Sequence, residues 1–315
     1  LAPQKRCGFF SQVHDRPAAG CTPDADQAGF DEYSGYFWSA LQGKSPGEQQ
    51  PVDADYDDNG AVSFAEAHAY AVIESDTVDI PVRSTGALLR RYSKLGKRRT
   101  EDEDGDGESG GGLFGLFSNP EKKSPPQPEL TRPTGSLQEI AQRGRPDQRA
   151  ILERLPERVG LSPDNSVEEV RERLEEAEDE LSKARRKVSV AAAAYAKVHE
   201  QLVERVCELW PELNEEIAPI FAELCRERSD EFTERVESLP GYEAMQTARD
   251  LQDEASDVLL AAMHREAGLQ RLLRTVENII LAENLTKTAP ANIVERYEQM
   301  LAAEESGLAA ADDPQ

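Results

Sequence analysis

The chain has 315 residues, 36 Lys and Arg against 61 Asp and Glu, a net charge of −25 and a sequence pI near 4.6. That length allows one large domain or two ordinary ones, and the acidic balance argues against a nucleic-acid or anionic-membrane partner, leaving cations and basic partners as the better fit. Cys7, Cys21, Cys207 and Cys225 form no CxxC pair, so neither a zinc site nor a disulfide framework is indicated, and no run of about 18 apolar residues marks a membrane span.

Residue 1 is Leu, and the sequence enters almost at once a strand-like run at 7–13, Cys-Gly-Phe-Phe-Ser-Gln-Val, whose aromatic and β-branched content suits a pleated surface. A missing N-terminal segment is expected. Phe30, Tyr33, Phe37 and Leu41 then recur at helical spacing up to Gly43, a C-terminal stop. A Gly- and Pro-containing stretch leads to an Asp-rich loop at 55–66, followed by a predicted helix at 64–74, a strand-like run at 78–82 and a helix at 88–92. The alternation predicts an α/β arrangement for residues 1–97.

Between 98 and 135 lie an acidic tract, Gly110-Gly111-Gly112 and Ser124-Pro125-Pro126, which cannot bury a core and read as a disordered linker. The apolar island at 113–117 within it is assigned no function. From 136 to 310 the pattern is helical, a coiled-coil or helical-bundle region. Ser166 and Glu169 form a capping box. After it, Val167, Val170, Leu174, Ala177, Leu181, Ala184, Val188, Ala191, Tyr195, Val198 and Leu202 alternate at spacings of three and four, the coiled-coil repeat. Pro211 ends the run, and a second long helix is predicted over 243–284. Small residues at Ala177, Ala184 and Ala191 suit close approach of a hairpin arm or of another subunit, and the sequence leaves both open.

The strongest chemical signal is the loop 55–66. Asp55-Tyr56-Asp57-Asp58-Asn59-Gly60-Ala61-Val62-Ser63-Phe64-Ala65-Glu66 matches D-x-[DN]-x-[DN]-G-x5-E at every constrained position. A calcium ion takes six to eight oxygens at about 2.3–2.6 Å, so Asp55, Asp57 and Asn59 at positions 1, 3 and 5 are candidate ligands. Gly60 makes the turn, Ala61 offers its backbone carbonyl, Ser63 can hold a bridging water and Glu66 supplies a bidentate carboxylate. Pro46, Gly47 and Pro51 interrupt any entering helix and no second loop pairs with this one, so a structural clip is expected rather than a sensor. The run 102–107 mimics the motif but places Leu113 at position 12.

Other constellations are weaker. His14 lies seven residues from Cys7 and from Cys21, a spacing that invites a Cys-His dyad or a metal site, but neither is expected; His68, two beyond Glu66, is expected to pack or to face solvent rather than to coordinate. His199, Cys207, Cys225 and His264 fall on helices without ligand spacing. No GxSxG, P-loop, GxGxxG or HExxH occurs, which removes support for hydrolase, nucleotide and zinc-protease readings. A soluble chain is expected, the cytoplasm being the favoured compartment.

The first 97 residues resemble the C-terminal half of bacterial caspase-like and legumain-like cysteine peptidases. The resemblance rests on the run 7–13, on Asp15-Arg16-Pro17-Ala18-Ala19-Gly20-Cys21, on Tyr33-Ser34-Gly35-Tyr36-Phe37-Trp38-Ser39-Ala40-Leu41-Gln42-Gly43, and on the Asp-rich insert with the helix after it. It implies half of a caspase-haemoglobinase α/β sandwich, with the catalytic His and Cys upstream, in a segment or chain not present here. Neither role transfers to His14 or Cys7. It also implies that Lys94-Leu95-Gly96-Lys97-Arg98-Arg99 could be a processing site. Two readings follow: the calcium-binding portion of such a peptidase, inactive alone, or a calcium-binding scaffold that self-associates through its helices.

Overall fold

The computed structural model describes residues 6–19, 32–45, 50–96, 129–214, 222–223 and 226–308. Cys21, Cys225, the island at 113–117 and residues 98–128 of the expected linker lie outside them. In chain order the elements are β1 (Phe9–Phe10), α1 (Tyr33–Gln42), α2 (Phe64–Glu74), β2 (Val82–Arg83), α3 (Ser84–Tyr92), α4 (Leu137–Ala141), α5 (Pro146–Arg158), α6 (Val167–Leu209), α7 (Ser229–Glu237), α8 (Tyr242–Thr288) and α9 (Ala291–Glu304). A 3-10 turn at Pro211–Asn214 follows α6. The contacts divide the chain into two units, Leu1–Arg173 with Ala267–Gln315, and Leu174–Glu266.

The expected α/β half-sandwich is corrected by this structure. Among the described residues the chain is mostly helical, and the sheet is a single antiparallel ladder pairing Phe9 with Arg83 and Phe10 with Val82. The strand-like runs stop short because side chains take over their backbone groups. Gln12 Oε1 accepts from the amides of Val13 and Ile80, both at 3.0 Å. Arg271 donates to the carbonyls of Val72, Ser75, Thr77 and Asp79. Buried amides and carbonyls need partners, and here a glutamine and an arginine serve where neighbouring strands would.

In the first unit, α2 packs against α1 and α5. Tyr33, Phe37, Ala40, Ala54, Ala67 and Ala71 form one apolar cluster, with Phe9, Val62 and Phe64 against it. Leu88 and Leu89 of α3 share a second cluster with Leu281 and Leu285 of α8, and Ile293 and Tyr297 of α9 pack on it. Gly43, with φ of 69°, ends α1 in the left-handed conformation that glycine adopts without steric cost.

In the second unit the heptad positions of α6 lie along one seam. Ala177, Leu181, Ala184 and Leu202 are buried, Leu174, Val188, Ala191, Tyr195 and Val198 are half-buried, and most residues between them are exposed. Arg265 of α8 pairs with Glu180 of α6 at 2.9 Å, and Arg205 of α6 donates to the Pro240 carbonyl just before α8. The early part of α6 therefore meets the middle of α8 while its late part meets the approach to α8, which makes this unit an antiparallel hairpin within one chain.

Candidate metal centre

The loop at 55–66 is built by its own side chains. Asp55 accepts from the Asn59 amide through Oδ1 at 3.1 Å and from the Gly60 amide through Oδ2 at 2.7 Å. Asp57 Oδ1 also accepts from the Asn59 amide, and Asn59 Oδ1 accepts from the Ala61 amide at 2.9 Å. Such Asx turns need no further element to hold them. Asp58 at φ 57° and Gly60 at φ 87° take the left-handed conformation that bends the chain, Asp being among the residues that tolerate it.

Ser63 is the N-cap of α2, and its capping box with Glu66 is complete. The Ser63 hydroxyl accepts from the Glu66 amide at 3.2 Å, while Glu66 Oε2 accepts from the Ser63 amide and hydroxyl, both at 2.8 Å. Glu66 Oε1 reaches across the loop to accept from the amides of Tyr56 at 2.8 Å and Asp57 at 3.1 Å. Glu66 is thus buried, at 3% exposure, and links the first turn of α2 to the start of the loop.

This folding gathers carboxylate oxygens of Asp55, Asp57 and Glu66 within 4.8 Å of one another. Two oxygens on one calcium ion can lie at most twice the bond length apart, about 5 Å, so the three fit a common ion. Asn59 is tied between the two aspartates. Ala61 is placed by its amide on Asn59, and Ser63 by its hydroxyl on Glu66. An all-oxygen donor set with three carboxylates suits a hard cation and lacks the sulfur or imidazole that zinc or copper would prefer.

Three features around the loop have no counterpart in the sequence reading. Ser63 pairs with Gly307 in an isolated antiparallel bridge, and the Phe64 amide donates to the Ser306 carbonyl at 2.9 Å, so a segment after α9 supplies the neighbour that a second loop would otherwise provide. A Cβ at position 307 would lie 2.8 Å from the Val62 carbonyl, which explains the glycine.

Just before this bridge, Glu304 is fully buried. It accepts from Thr85 Oγ1 at 2.8 Å and the Thr85 amide at 3.2 Å, with Arg83 at 3.6 Å. Arg83 in turn pairs with Asp147 at 2.8 Å, as does Arg145 at 3.1 Å. Burial acts to raise the Asp147 carboxyl, but the two guanidiniums outweigh it and hold the group down at about 2.

Tyr56, at loop position 2, is flanked by the Arg154 guanidinium 4.9 Å from its ring centroid. His68 lies buried on α2 with Nδ1 2.8 Å from the Tyr33 hydroxyl, and burial, with Arg83 nearby, pushes it down to about 3. It is a neutral core histidine. His14 is exposed, while Cys7 and Cys207 are free thiols.

Compared with protein-family models, curated proteins and solved structures, the chain matches none. No described helix is long and apolar enough to cross a membrane.

Proposed function

We propose that this protein is a calcium-binding helical scaffold in which the loop 55–66 acts as a structural clip. The observation that carries the reading is the convergence of the Asp55, Asp57 and Glu66 carboxylates within 4.8 Å on a loop whose backbone is already shaped. Asp55, Asp57, Asn59, the Ala61 carbonyl, Ser63 and Glu66 would hold the ion, which supplies the positive charge that three clustered carboxylates lack. Through Glu66 the site is joined to α2, and through Ser63 to the segment after α9. Binding there would hold three stretches of chain together. The reading as part of a cysteine peptidase carried the expectation of an α/β half-sandwich, and the described residues are mostly helical.

An ion that binds only the folded state stabilises it by about 2.7 kcal/mol at a concentration one hundred times its Kd. Thermal melts of the full chain in EDTA and in excess CaCl2 are expected to separate, with the calcium sample melting higher. Coincident melts count against the clip.

Self-association is the second part of the proposal. It is supported by apolar side chains left in water on the hairpin unit: Val190 is 72% exposed, Leu251 56% and Leu260 49%. Light scattering of the full chain at rising concentration should show a dimer or larger species, and a strictly monomeric species would contradict it.

A further inference from the structure

The first unit holds a cavity of about 380 Å³ walled by α2, β2, α3, α5, the C-terminal part of α8 and the segment 13–14. Its lining runs against the composition of the protein. In a chain with 61 acidic residues, no Asp or Glu lines this space, whereas Arg83, Arg90, Arg271, Arg274, His14 and His68 do.

The arginines differ in how their charge is met. Arg83 is paired with Asp147, and Arg90 with Glu277 at 2.8 Å. Arg271 is buried and turned onto four backbone carbonyls, with no carboxylate within ion-pair distance among the described residues. Arg274 has neither a hydrogen bond nor an ion pair among the described residues, though the carboxylates of Glu277 and Asp15 act on it from nearby, and its Nε is buried without a partner. Asn278, one turn further along α8, carries a buried, unpartnered side-chain oxygen, and the two ends of an amide are interchangeable by a flip that turns a donor to the same spot.

A buried polar atom without a partner is costly, and a cavity lined by two residues that each carry one asks for a ligand that satisfies them. Gly86 and Ala87 in the first turn of α3 also line the cavity, where a helix N-terminus adds partial positive charge. Val13, Val72, Val82 and Ile151 give the wall an apolar part, beside Gln148 and Thr275. Exposed Ala87, Arg90 and His14 give the cavity an opening to solvent.

We propose that this cavity binds a small organic anion, its carboxylate or phosphate head taken by Arg274 with Asn278 and its apolar body lying against Val13, Val72, Val82 and Ile151. A planar guanidinium matches either oxyanion in a two-pronged fashion, and the apolar wall favours a molecule with a short hydrocarbon part over a bare ion.

The test is isothermal titration of the full chain with butyrate, butyl phosphate, inorganic phosphate and neutral butyramide. Saturable one-to-one binding of butyrate or butyl phosphate is expected, with whichever binds more tightly naming the head group, and with inorganic phosphate and butyramide at least tenfold weaker. Arg274→Gln should weaken the organic anion at least tenfold. Ala87→Asp, at an exposed rim position where folding is insensitive to substitution, should weaken it as well and serves if Arg274→Gln does not fold. The proposal is overturned if neither organic anion saturates, if butyramide or inorganic phosphate binds as tightly, or if both variants bind as the parent does.

Discussion

The hairpin unit and the loop-bearing unit satisfy their backbones and bury their side chains by different means. In the hairpin, helices α6 and α8 satisfy their own amides and carbonyls, and the tertiary task reduces to covering a seam that recurs every three or four residues. In the first unit much of the backbone between α2 and α3 is neither helix nor sheet. Distant side chains satisfy it instead, with Arg271 serving carbonyls up to 196 residues away and Gln12 serving the Ile80 amide 68 residues away. One unit is held by a repeated local rule and the other by single, irreplaceable contacts.

The largest effect that could break this contrast is at Arg271. Replacing it with Met leaves the carbonyls of Val72, Ser75, Thr77 and Asp79 without their shared donor, and urea unfolding should show a loss of roughly 3 kcal/mol or more. A loss below about 1 kcal/mol would mean that the segment has another support. In the hairpin the matching experiment is Leu181→Ala, a buried seam position, expected to cost about 2–4 kcal/mol, set beside Val203→Ala at an exposed position of the same helix, expected to stay within about 0.5 kcal/mol. Equal effects at the two would dissolve the seam.

A smaller effect sharpens the account of the buried charges. Asp147 is held at about 2 in the folded protein, below its ordinary value near 4, so the unfolded chain binds its proton first as pH falls. Its stabilising contribution is complete above pH ~4 and is lost as pH drops toward 2. Asp147→Asn should therefore lower stability at pH 7 and flatten the acid slope between pH 4 and 2, by up to about 1.4 kcal/mol per pH unit. An unchanged slope would place the acid sensitivity elsewhere.

What the sequence made legible follows the same division. The helix at 64–74 emerges with the bounds its pattern predicted, because Ser63 and Glu66 lie within one turn and write the cap locally. The cap at Ser166 and the seam after it are local too. The calcium motif was legible for that reason, since Asp55, Asp57, Asn59 and Glu66 act on one another across at most eleven positions. Glu304 and Thr85, 219 residues apart, carry no such signal, and neither does Gly307 opposite Ser63. The runs at 7–13 and 78–82 have strand-like composition, yet their partners are a glutamine and an arginine, which no periodicity could announce. Composition likewise pointed to cations and basic partners and gave no hint of an arginine-lined cavity, because that lining is collected from five separate stretches of chain.

The central claim is the calcium clip, and calorimetric titration of CaCl2 into the full chain and into its Glu66→Gln variant tests it most directly. Gln can keep the cap on Ser63 through its one oxygen while losing a negative charge and the oxygen that accepts from Tyr56 and Asp57, so a calcium-free melt of the variant, run beside the titration, separates folding from ion binding. The account predicts saturable binding of one ion by the parent and a sharp weakening in the variant, by at least tenfold. Equal heats for parent and variant, or no heat from either, would contradict it.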